Sequence, residues 1–168
     1  MVSDEEQPDH RYLRTNLSEE DFFKALDASV GVSVREKAEE FYRSLSTELD
    51  LEPDFKAAAM MLKVPDPKGE KPGVSVLAIE RQGRIYNTKH MLNQLERWGL
   101  SQDTIYAITS EFWKGLHQID SRFLEGGIIH MAPRQFLPVK DLMDKFDQIA
   151  DEVRRVVTRI RQAVGDTP

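Results

Sequence analysis

Near the C-terminus, Val139, Leu142, Phe146, Ile149, Val153, Val156, Ile160 and Ala163 recur at alternating spacings of three and four. That spacing holds one apolar stripe on one side of a helix for more than three heptads. Whatever this chain folds into must therefore bury a long helix lengthwise. Ala150 and Val157 flank the stripe and widen it, which suits docking on a domain or a bundle as well as a two-helix zipper. We expect a helix over 138–168, packed on its own domain or against a second copy, with Phe146, Ile149, Val153, Val156 and Ile160 as its interface. Asp141, Asp144, Asp147, Asp151 and Glu152 come early in it, and Arg154, Arg155, Arg159 and Arg161 late. This order complements the helix macrodipole at both ends and also permits antiparallel self-pairing.

The 168 residues make one domain by length, or one domain with an arm. Such a chain buries a core without covalent staples. There is no cysteine, which excludes disulfides, thiolate metal sites and cysteine nucleophiles. No apolar run approaches the length of a membrane span, and Met1–His10 is acidic and polar, unlike a signal peptide. These features set the expectation of a cytoplasmic protein with no membrane partner. A net charge of −6 disfavours nonspecific contact with nucleic acid.

Residues 1–15 lack periodicity and read as a disordered acidic arm. Ser18, with Asp21 three residues on, opens a short helix through Phe22, Phe23, Leu26 and Val30. Ser33 with Glu36 reads as a capping box for a second, whose face is Val34, Ala38, Phe41, Leu45 and Leu49. Residues 55–64 (FKAAAMMLKV) then predict a strand, 74–81 (VSVLAIER) a second and 84–87 a third, joined by a Pro/Gly/Lys-rich loop and by a turn at Gln82-Gly83. Two more helices follow. Asn87 or Thr88 caps the first, with Met91, Leu95 and Trp98 inward and Gly99 ending it. Ser101 caps the second, with Ile105, Ile108, Phe112 and Leu116 inward. Gly126-Gly127 marks a turn before a short strand at 128–131. The resulting expectation is an α+β domain over 16–137, an antiparallel meander of about three strands with helices packed on it, continued by the long C-terminal helix.

Few residues suggest chemistry. His117 and Asp120 are three apart near a helix end, and His130 follows the glycine pair. Zinc accepts such ligands, but the spacing matches no established site, and the reading is that no metal or other cofactor is bound. Gly-x-Ser-x-Gly, Gly-x-Gly-x-x-Gly, Walker and zinc-protease motifs are all missing. Trp98, Trp113 and the scattered methionines fit core positions. Arg81, Arg84, Lys89, His90 and Arg97, with Tyr86 among them, form a locally basic stretch and the candidate binding surface.

The order helix, three strands, helix resembles the core of restriction-endonuclease-like nucleases. Those enzymes place Pro-Asp at one strand and Asp/Glu-x-Lys on the next. Pro53-Asp54 and Glu80-Arg81-Gln82 echo that pattern, with Gln82 where the lysine belongs. The resemblance implies a degraded nucleic-acid-acting core in which Asp54, Glu80 and one of Glu36–Glu40 would converge. The same order is similar to double-stranded-RNA-binding domains and to small acidic secretion chaperones, which dimerise around a partner's segment. Weighing these, the expected function is a non-enzymatic protein-interaction or regulatory module, a dimer if the last helix pairs between copies, with itself or another protein as partner. Nucleic acid is the secondary partner class.

Overall fold

The computed structural model describes residues 15–87, 89–123 and 137–165. Two helices lead, α1 (Glu19–Val30) and α2 (Val32–Leu49). Ser18 caps α1 as its sequence predicts, its side chain accepting from the Asp21 N–H at 3.0 Å. Ser33, by contrast, caps nothing. Gly31, at φ 89°, turns the chain so sharply that α2 starts at Val32, and Ser33 falls inside its first turn. The two helices are tied by Tyr42, whose hydroxyl donates to Glu19 Oε1 at 2.5 Å, and by Arg43, whose guanidinium donates to Glu19 Oε2 at 2.9 Å.

An antiparallel meander follows, ordered β1 (Glu52–Phe55), β2 (Ala59–Val64), β3 (Val74–Glu80), β4 (Arg84–Tyr86) and the two-residue β5 (Leu137–Pro138). The expected single strand over 55–64 is in fact a hairpin. Lys56 N–H donates to Ala59 C=O at 2.8 Å, and the residues before it form an edge strand, where Pro53 needs no ladder donor. Register sorts the side chains into two faces. Phe55, Met60, Ile79 and Ile85 stand side by side across four strands, with Leu62 opposite Leu77 on the same face. Phe22, Phe23 and Tyr42 surround the Phe55 ring at centroid distances of 5.5, 6.2 and 6.1 Å, so α1 and α2 cover this face. The opposite face carries Asp54, Met61, Ala78 and Tyr86 in one row, and Ala59 beside Glu80 in another.

Then come α3 (His90–Arg97) and α4 (Gln102–Ile119). Gly99, at φ 88°, lets the chain leave α3, and Ser101 caps α4 by accepting from Thr104 N–H at 3.2 Å. The 65–73 loop is held down at both ends. Asp66 accepts from the N–H groups of Lys68, Glu70 and Lys71, and Trp98 Nε1 donates to Pro72 C=O at 2.9 Å. The chain ends in a 3₁₀ turn (Val139–Lys145) running into α5 (Phe146–Gly165). Leu142, Phe146, Ile149, Val153, Val156 and Ile160 are all buried in the single core. The fold is α+β, with a long C-terminal helix. The expected strand at 128–131 lies outside the described residues.

Candidate functional site

The basic stretch divides into two places. Arg81, Arg84 and Tyr86 lie on the β3–β4 hairpin, whereas Lys89, His90 and Arg97 belong to α3 and its approach. Lys89 and His90 open that helix and Arg97 closes it, roughly 10 Å further along the axis. Arg84 is already committed, with Nε 2.5 Å from Glu80 Oε1 and its guanidinium donating to Gln82 Oε1 at 2.8 Å. Burial pushes the Glu80 carboxyl up and the Arg84 charge pulls it down, with burial prevailing. Burial, and then the charge of Glu80, pushes the Tyr86 phenol up. The hairpin thus holds a half-buried acid–base pair beside a tyrosine, which differs from an open comb of cations for phosphate.

The carboxylates named for a nuclease-like site are held apart by the fold. Asp54 and Glu80 share a sheet face but lie two strands and two rows apart, about 12 Å between Cα atoms from strand spacing and rise. Asp54 binds Lys63 at 2.6 Å and Lys56 at 3.2 Å. Glu39 binds Arg35 and Arg43 on α2, on the other side of the sheet. His117 turns Nδ1 to the Phe123 carbonyl at 3.1 Å, and Asp120 pairs with Arg122 at 3.0 Å and Lys145 at 3.8 Å. His130 lies outside the described residues. Among those residues no group of three His, Asp or Glu side chains is placed to hold a metal ion.

The α5 seam faces inward. Phe146, Ile149, Val153, Val156 and Ile160 are each at most 9 % exposed within one chain. They pack on α2 and α4, where the Phe41 and Phe146 rings stack at 4.6 Å. A second copy cannot use these side chains while the fold is intact.

Sequence reading missed the groove between α4 and α5. One half, of about 820 Å³, is lined by Tyr106, Lys114, Gly115, Glu152 and Arg155 among others. The other half, of about 690 Å³, reaches Leu100 and Ala163. Glu111 and Arg159 line both halves and form an ion pair across the groove. Gly115 leaves the space that the Glu152 carboxylate fills, because a Cβ there would fall on that carboxylate. Glu152 in turn pairs with Arg155. Tyr106 stands 66 % exposed on the rim, and only it and Val32 are exposed large apolar side chains among the described residues. Tyr106 sits one residue past the inward position Ile105, and that off-face aromatic was the one available signal.

The geometry defines an α+β domain with an open interhelical groove. Searches of protein-family models, curated proteins and solved structures find no match to the chain. Among the described residues no helix is long and apolar enough to cross a membrane.

Proposed function

We propose that this chain is a non-enzymatic protein-interaction module whose working surface is the α4–α5 groove. The observation that carries the reading is the shape and chemistry of that groove. It runs along most of α4 and is open to solvent, with charged and amide side chains around an exposed tyrosine in one half and Leu100, Ala107, Ile108 and Ala163 in the other. Sites for small molecules are mostly apolar and enclose most of their ligand. An open trough of mixed polar and apolar lining with an aromatic on its rim suits a segment of another protein, because tyrosine and arginine are enriched where interfaces hold their energy. The acid–base groups of the candidate sites each sit beside a structural partner: Glu80 with Arg84, Asp54 with Lys63, Asp120 with Arg122.

The test compares two baits, the full chain and its Tyr106→Ala, Lys114→Glu variant, after matching their melting temperatures. Support requires a protein that the wild type retains, the variant loses, and purified components re-form into a complex of defined mass. A partner retained equally by both baits overturns the reading, as does the finding of none.

A further inference from the structure

A second hollow lies between α2 and the start of the last helix, and it shares no lining residue with the α4–α5 groove. Its volume is about 290 Å³, and its floor is apolar: Phe41 and Leu45 from α2, Met143 from the 3₁₀ turn, Phe146 and Ala150 from α5. Around that floor stand Lys37, Glu40, Asp144, Asp147 and Arg154. Arg154 is already committed, donating to Glu48 at 2.6 and 2.9 Å and to Asp151 at 2.7 Å. Lys145, beside Asp144 in the chain, is bound at Asp120 and the Ile119 carbonyl. Glu40, Asp144 and Asp147 are exposed and have no ion pair among the described residues. With Glu48 and Asp151 included, five carboxylates stand here against two cations, and of the two cations only Lys37 is unpaired.

We infer that this hollow docks a basic segment of a partner protein. The stem of an arginine or lysine lies along the Phe41–Phe146 floor, and its charged head reaches the carboxylates of Asp144 and Asp147. Long basic side chains suit such a place, because their methylenes bury on apolar surface while the cation stays at its edge. An apolar neighbour in the segment packs on Met143, which is half-buried. The negative rim attracts such a segment and rejects acidic ones, which is the part of recognition that charge supplies. Lys37 opposes the attraction and limits the affinity. This surface is additional to the α4–α5 groove and stands or falls apart from it.

The probe is a twelve-residue peptide rich in arginine and leucine, titrated into isotope-labelled full chain and followed by backbone amide shifts. One contrast peptide carries glutamate for arginine, and another carries serine for leucine. The expected result is shifts on α2 and the first turns of α5 with the arginine–leucine peptide, weaker with the serine form and absent with the glutamate form. Replacing both rim acids, Asp144→Asn with Asp147→Asn, should weaken binding about tenfold. Lys37→Glu should tighten it several-fold, an effect that no loss of fold can imitate. Equal binding by the serine form would reduce the contact to general charge attraction and overturn the inference. So would the absence of shifts on α2 and α5, or a Lys37→Glu variant that binds no tighter. A mass that rises with concentration in the wild type, but not in the doubly neutralised variant, would assign the hollow to a second copy and overturn it too.

Discussion

Gly115 lies in the middle of α4, where glycine costs a helix about 1 kcal/mol relative to alanine. Its neighbour is the end of a flexible side chain, the Glu152 carboxylate, and not backbone. Gly115→Ala should therefore push Glu152 outward and raise stability by about 0.5 kcal/mol, the propensity gain less the cost of moving the acid. A urea titration reads this directly, and a loss above about 1 kcal/mol would mean the helices cannot give at that point.

Ionisation at single residues sets opposing slopes of stability against pH. The Arg122 hydrogen bond holds Asp120 below the usual carboxylate range, and the Tyr42 hydrogen bond does the same for Glu19. Each stabilises the fold when ionised, fully above its ordinary value, and that contribution is lost as pH falls through the lowered one. Glu80 acts the other way. Burial raises it, so ionising it penalises the fold, with the whole penalty present above the raised value and none below the ordinary glutamate range, about 4.3. The melting temperature of Glu80→Gln minus that of wild type should thus rise as pH goes from about 4 towards neutrality. Asp120→Asn should show the reverse trend at lower pH. A difference independent of pH in scanning calorimetry would remove the assignment.

At the scale of elements, α5 was legible because its pattern is long and local. Eight apolar positions at helical spacing demand burial along one side, on the domain or on a second copy, and seven of the eight are buried within the chain. Val153, fully buried, shows what depends on it. Val153→Asp loses apolar burial and buries a charge without a partner, and should cost more than about 4 kcal/mol in urea unfolding. Gln162→Asp, on the exposed side of the same helix, should stay within about 0.5 kcal/mol. The β1–β2 hairpin was less legible. Its turn holds two of the three alanines in residues 55–64, a residue type with no turn preference of its own, so the stretch reads as one continuous strand. Pairing with β3 over Ala59–Val64 overrode that signal.

For the molecule as a whole, the surface shows restraint. Both sheet edges carry a proline, Pro53 on β1 and Pro138 on β5, which weakens strand addition from another chain. The late arginines of α5 are drawn into the chain itself, Arg154 to Glu48 at 2.6 Å and Arg159 to Glu111, so the charge gradient that permits self-pairing is largely neutralised internally. The expected mass by light scattering after size exclusion is that of one 19.3 kDa chain, at low and at high salt alike. A dimer that persists in high salt would mean an apolar contact that the described surface does not present.

The sequence by itself determined the α+β class, the three central strands of the meander, the capped starts of α1 and α4 and the apolar stripe of α5. Each depends on interactions among residues near in the chain, through period, cap and turn chemistry. Tertiary structure alone decided which partner the stripe meets, that Asp54 and Glu80 stand apart, and that Glu111 and Arg159 bridge a groove. Those outcomes depend on residues brought together from distant positions, 48 apart for the bridging pair, and no local pattern in a single chain encodes which cation will meet which carboxylate.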